Sequence, residues 1–251
     1  MKTLYTKGAY LLLFALLHSS LLKAQNSGIY ESYAIIDSGS GNQMYDLWSP
    51  TDQTNDVPGY DFQGSNFGTF GTQTGTLILN GGQNNVWKCP TDDITSGWLN
   101  YVIYPTGNRP VSPTFTGIDL STTNVIITGP ALCAGGVNQS WNHNNATIDL
   151  LNGLSSGDYT LEVFTLADYT TNGNPQTPHF VNNNGNNFTA TFRADTPPTA
   201  SCQDITVYLD ATGSATIVAS DIDNGSTDDF DTPVLSIDIA TFDCSNIGTP
   251  V

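Results

Sequence analysis

The chain has 251 residues, of which only 12% are charged. Lys2, Lys7 and Lys23 lie in the first 24 positions, which leaves Lys88, Arg109 and Arg193 against all 23 acidic residues. So one-sided a balance repels phosphates and anionic lipid, and it excludes a nucleic-acid-binding role.

Residues 1–24 read as an export signal. Lys2 and Lys7 precede the apolar run Ala9–Leu17, which is of signal length and short for a bilayer span, and small residues near Ala24 allow cleavage before Gln25. No later run is apolar and long enough to suggest a transmembrane segment. The expectation is a secreted or cell-surface protein, in which disulfides are permitted. Cys89, Cys133, Cys202 and Cys244 allow three pairings, and pairing within each half (Cys89–Cys133, Cys202–Cys244) is the economical one. Zinc fails on spacing, because no Cys-x-x-Cys or nearby His pair is present.

Beyond the signal, Gly and Pro punctuate short apolar runs, the pattern of an all-β chain. Strands are expected at Ile29–Ile36, Met44–Trp48, Thr76–Leu79, Trp98–Tyr104, Phe115–Leu120, Val125–Thr128, Ala146–Leu151, Tyr159–Ala167 and Asn187–Phe192. Asn80-Gly81-Gly82 reads as a turn, and residues 49–66 as a long polar loop. The expected fold for residues 28–195 is an antiparallel β-sandwich. Asn172–Asn187, dense in Asn and Gly, reads as a mobile hairpin loop or as a ligand-contacting one.

Gly153-Leu-Ser-Ser-Gly157 matches the nucleophile-elbow pattern of hydrolases, but a strand rather than a helix follows it, so it reads as a β-turn. No other motif announces a reaction, and a non-catalytic protein is expected. Aromatics are more informative. Trp48, Trp87, Trp98, Trp141, Tyr101 and Tyr104 could stack on sugar rings, with amides nearby for the hydroxyls. Alternation places Trp98, Asn100, Val102 and Tyr104 on one strand face, and Trp141-Asn142-His143-Asn144 places an aromatic among polar groups in an expected loop. The candidate glycan site is therefore Trp98, Tyr104, Trp141, Asn142 and Asn144; the competing reading is that these rings fill the sandwich core.

Pro197 and Pro198 lie in a stretch, residues 196–200, that no central strand can cross, so it reads as a stiff hinge. Residues 201–251 contain no Lys or Arg and promise strands at Asp204–Asp210, Ala215–Val218 and Val234–Ile239. Asp221, Asp223, Asp228, Asp229 and Asp231 offer the hard oxygen ligands that calcium takes, although not at EF-hand spacing; a solvated acidic loop is the alternative.

Cys202-Gln-Asp-Ile-Thr-Val, Ala219-Ser-Asp-Ile-Asp-Asn-Gly-Ser and Thr241-Phe-Asp-Cys-Ser-Asn-Ile-Gly248 resemble the hyalin-repeat (HYR) domains of secreted bacterial multimodular surface proteins. The resemblance implies a partial immunoglobulin-like sandwich used for adhesion or as a spacer. The chain departs from that pattern at Asp228-Asp-Phe-Asp231, and the closing strands with their last Cys are missing, so on this resemblance Cys202 would find its partner beyond Val251. Residues 28–195 resemble, more loosely, the N-terminal sandwich of such proteins, through Leu77–Gly82, Tyr101–Gly107 and Gly153–Val163. The function expected is a surface or secreted binding and adhesion module for a glycan or another cell-surface component. A purely structural adhesin spacer and the ancillary front of an extracellular hydrolase are the alternatives.

Overall fold

The structure is a computed structural model that describes residues 26–47, 60–121, 123–127 and 133–248. Residues 1–24, read above as an export signal, Trp48 and the last three residues lie outside the described residues. Residues 27–195 form two packed sheets, so the all-β sandwich expectation holds.

In the first sheet, β1 (Ser27–Asp37) lies between β2 (Asn42–Asp46) and β4 (Ile78–Lys88). Beyond β4 come β8 (Val137–His143) and β7 (Thr123–Ile127), while β9 (Ile148–Asp149) pairs with the start of β4. The second sheet has the order β3 (Asn66–Gly71), β13 (Phe188–Asp195), β10 (Gly157–Thr171), β5 (Asp92–Pro105), β6 (Thr116–Asp119). Past the end of β13, the same edge of β10 is taken by β12 (His179–Val181) and β11 (Asn174–Pro175). Every pairing is antiparallel except that of β3 with β13, which is parallel. β3 begins at Asn66, the last residue of the stretch read as loop, and takes the edge of the second sheet.

Period-two alternation builds the core. On β13, Phe188, Ala190, Phe192 and Ala194 point inward while Thr189, Thr191 and Arg193 point out. They meet Ala34, Ile36, Leu79, Val86 and Trp141 of the first sheet, with Leu99, Leu161 and Val163 alongside. Each large buried side chain contributes about 1.5–3 kcal/mol. One polar tie crosses this core. The Ser32 hydroxyl donates to Asn84 Oδ1 at 2.8 Å and so can only accept from Thr165 Oγ1 at 2.7 Å, while Asn84 Nδ2 donates to the Leu166 carbonyl at 3.0 Å. All three side chains are fully buried and all their contacts satisfied, so the tie fixes how the sheets sit on each other.

The turn expected at Asn80–Gly82 is instead the interior of β4. A Cβ at Gly81 would sit 2.2 Å from the His143 carbonyl oxygen, and one at Gly82 would sit 2.5 Å from that of Tyr33. Glycine is there because neighbouring backbones approach closely, and the ladder to β1 slips beside it, between Ile35 and Ile36. The expected loop at Trp141–Asn145 is likewise corrected: β8 runs through His143.

Residues 196–200 lead into a segment of little regular structure. β14 (Ser214–Thr216) pairs with β15 (Thr241–Asp243), and a four-residue helix, α1 (Ala219–Ile222), follows β14. The expected strands at Asp204–Asp210 and Val234–Ile239 do not form, and the strand expected at Ala215–Val218 ends at Thr216, ahead of α1. Ile205, Val207, Tyr208, Val234, Leu235 and Ile239 stay exposed. An apolar, alternating run becomes a strand only when a neighbouring strand takes its hydrogen bonds and covers its face.

The hinge is not bare. Arg193 grips Asp158 with two hydrogen bonds, and its guanidinium carbon lies 3.8 Å from the centre of the Phe230 ring. Thr196 Oγ1 donates to Asp229 at 3.0 Å, and its amide donates to Ser156 Oγ at 2.7 Å. The acidic loop therefore folds back onto the end of the first module.

Candidate functional site

The outward face of the second sheet carries the richest chemistry. On β5 it presents Trp98, Asn100, Val102 and Tyr104, as alternation predicts, and on β10 Thr160, Glu162, Phe164 and Leu166. Register assembles these into rows across the strands. Phe180 of β12 is opposite Leu166, Leu166 opposite Trp98, and Trp98 opposite Asp119 of β6. In the next row Phe164 is opposite Asn100, and Asn100 opposite Gly117.

Rings dominate the first two rows. The centres of Phe115 and Phe164 lie 5.0 Å apart at 76°, and those of Phe164 and Phe180 6.3 Å apart at 43°. Phe180 is 48% exposed, and Trp98 and Phe115 are half-buried. Gly117 leaves room for the indole, since a Cβ there would lie 3.3 Å from it. Trp98 Nε1 donates to Ser96 Oγ at 3.0 Å, and Ser96 in turn donates to Asp168. Among the described residues, Asn100 Nδ2 is one of few buried polar side-chain atoms without a partner.

Below the rings sits a hub. Glu162, with a side chain 0% exposed, accepts from Arg109 Nε and Nη2 (both 2.7 Å), from Asn187 Nδ2 (2.7 Å) and from the Tyr104 hydroxyl (2.8 Å). Burial pushes its pKa up, but the hydrogen bonds from Arg109, Asn187 and Tyr104 outweigh burial and hold it below the usual carboxylate range. Burial and the bond to Glu162 push the Tyr104 phenol up to about 12. Arg109 comes from the loop after β5 and Asn187 from the Asn-rich segment, so one carboxylate pins both loops beside the rings. That segment forms β11, β12 and a 3-10 turn, with Asn172, Asn183, Asn184 and Asn187 at positive φ, a conformation that Asn tolerates better than most residues.

The five expected glycan contacts do not converge. Trp98 and Tyr104 share the outer face, but Tyr104 is only 7% exposed and its hydroxyl is held by Glu162. Trp141 is 5% exposed and part of the core, where it packs close to Gly97 and Leu120. Asn142 is half-buried in β8 opposite Gln83 and Thr123, and Asn144 is exposed, its carbonyl accepting from Asn42 Nδ2. Trp141 and Asn142 belong to β8 of the first sheet and Asn144 just follows it, whereas Trp98 is in the second sheet. The residues missed were Phe115, Phe164, Phe180, Arg109, Asn187 and Glu162. For Glu162 a signal existed: it is one of two glutamates and stands in a strand between Leu161 and Val163.

A second buried group lies where β1, β5 and β12 begin. The Ser27 hydroxyl donates to Asp92 Oδ2 at 2.7 Å and lies 3.0 Å from His179 Nε2. A hydroxyl has one proton, so Nε2–H is the donor in the second bond, which fixes the tautomer of a neutral His179. Burial lowers the His179 pKa, with Asp92 opposing. Serine, histidine and aspartate meet here, but Ser27 is 0% exposed and its proton is directed at Asp92, so the group is sealed and holds the first strand in place.

The acidic residues also fall differently from expectation. Asp221 accepts from the Val218 amide, and Asp223 from those of Gly225 and Ser226, so both serve local turns. Asp228 and Asp229 instead join Asp195 of β13, with one carboxylate oxygen from each within 4.8 Å of the others. Asp231 is exposed and outside that group. Asp195 has its pKa raised by burial and by Asp228, Asp229 and Asp231, and its Oδ1 is buried without a partner.

Cys89 and Cys133 form the expected disulfide, with Cα atoms 5.8 Å apart. The expected Cys202–Cys244 bond is absent and both thiols are exposed. Cys202 forms a backbone bridge to Asp223 just after α1, whereas Cys244 follows β15 and faces Gly213. No protein-family model matches the chain, and no curated protein matches it either.

Proposed function

We propose that residues 28–195 are a non-catalytic binding module of an exported, secreted or cell-surface protein, and that the ligand is a glycan held on the outward face of the second sheet. Residues 201–251, with their resemblance to an HYR repeat, act as adhesive or spacing structure behind it. The observation that carries this reading is the partly exposed set of rings Phe180, Phe164, Phe115 and Trp98, flanked by amides and carboxylates. Sugar C–H groups carry slight positive charge and sit well on the negative face of an aromatic ring, while hydroxyls need polar partners beside it. A glycan array probed with the exported chain tests the proposal. Binding that is weakened by Phe180→Ala is expected. Failure to bind any glycan would leave the structural-spacer role in its place.

A calcium ion at the joint is a second reading, favoured by the lone buried Oδ1 of Asp195 beside Asp228 and Asp229. Carboxylate oxygens suit calcium, and its charge would remove their repulsion. Melting of the full chain with calcium and then with chelator should differ in the native protein and coincide in Asp195→Asn; coincident melts of the native chain would refute a calcium site.

A further inference from the structure

We infer that the ligand of this face is a neutral, soluble glycan chain, and that it lies along the row Phe180–Leu166–Trp98–Asp119. The inference rests on the glycan reading above and narrows it to a substrate class.

Charge decides against anionic glycans. After the export signal the chain has three basic residues, and each is engaged: Lys88 with Asp93, Arg109 with Glu162, and Arg193 with Asp158. A sulfate or uronate would meet no unpaired Lys or Arg among the described residues. It would also enter the field of 23 acidic side chains. Locally, carboxylates flank the row. Asp119 is opposite Trp98 on β6, and Asp168 is held beside Trp98 through Ser96. Carboxylates accept from sugar hydroxyls and repel sugar anions.

Ring geometry decides against a crystalline polysaccharide. A flat crystal face is matched by coplanar rings, whereas Phe115, Phe164 and Phe180 are inclined to one another by 76° and 43°. Phe180, the most exposed ring of the set, offers one stacking surface at the end of the row. Three strand spacings separate Phe180 from Asp119, roughly 14 Å, enough for a short run of sugar units. A single chain can turn each sugar ring to suit such a surface.

The test is a titration panel on the full exported chain. It uses neutral soluble oligosaccharides, the same backbones sulfated or oxidised to uronic acids, and insoluble crystalline polysaccharide. Native protein is compared with Phe180→Ala and with Phe180→Tyr, which keeps the ring. Binding of a neutral soluble member is expected, weakened about tenfold by the alanine and retained by the tyrosine. Preference for the anionic or crystalline members would overturn this inference and leave the glycan reading standing. Equal binding by native protein and Phe180→Ala would overturn the row as the site. Binding of no member would overturn both.

Discussion

Arg109 and Glu162 form one ion pair whose two ends should respond very differently to mutation. The Glu162 side chain is 0% exposed and that of Arg109 47%. Arg109→Ala leaves a buried carboxylate with only the Tyr104 hydroxyl and the Asn187 amide. Breaking a buried pair from one side costs about 3–5 kcal/mol, and ~3 is appropriate here because Arg109 is half in water. Glu162→Gln removes the buried charge, keeps a carbonyl acceptor for Tyr104 or Asn187, and lets the guanidinium turn to solvent, so the loss is ~1 kcal/mol. For a domain of this size, each kcal/mol moves the melting temperature by about 2–4 °C, so Arg109→Ala should melt roughly 6–12 °C lower and Glu162→Gln roughly 2–4 °C lower. Calorimetry of the full chain at pH 7 measures both. The sign with pH follows from the depressed Glu162 pKa. Its stabilisation is present above the unfolded value of about 4.3 and is lost as pH falls through the lower folded value. The gap between native protein and Glu162→Gln should close in acid. If Arg109→Ala costs no more than Glu162→Gln, the carboxylate is not buried as described and the hub argument fails.

Tyr104 gives an alkaline counterpart: with its pKa raised to about 12, its contribution is present below the unfolded value of about 10 and is lost between about 10 and 12, a loss that Tyr104→Phe should not show in melts. His179 acts on the acid side. Its lowered pKa means stability present above about 6.5 and lost as pH falls through the folded value, and His179→Gln should flatten that slope. Reducing Cys89–Cys133 opens a separation of 44 residues, and chain entropy sets the loss at about 4 kcal/mol, measurable by denaturant titration with and without reductant. Trp141→Ala should destabilise by about 3–5 kcal/mol through a core cavity, yet leave glycan affinity unchanged in the fraction that stays folded. A selective loss of affinity would restore Trp141 to the site.

Most strands of the first module were legible because their apolar residues alternate and turn residues bound them, β10 and β13 most clearly. Asn80-Gly81-Gly82 misled because glycine serves both turns and close strand approach, and only the neighbouring backbones of Tyr33 and His143 tell which. β8 misled for a related reason. Asn142 and the adjoining His143 read as loop, whereas Trp141, inward on the same strand, is core. The segment Asp204–Asp210 shows the reverse failure. Its pattern is that of a strand, but strand formation belongs to a pair of segments and not to one.

The site was harder to see because it is made by register. Phe180, Leu166, Trp98 and Asp119 come from four strands, and their alignment depends on pairings spread over 80 residues of chain, so no local spacing encodes it. Trp98 was found because one strand's alternation suffices to place it on a face. Phe180 was not, since its neighbours in sequence are asparagines and a proline that read as loop. What composition did carry was the electrostatic constraint. The three basic residues beyond position 24 are few enough that local pairing engages them all, Arg109 with the buried Glu162 on the same sheet face as the rings. The scarcity of Lys and Arg therefore bears on the proposed ligand: Arg109 is already committed, through Glu162, to holding two loops together, and a ligand that needed it would have to break that buried pair.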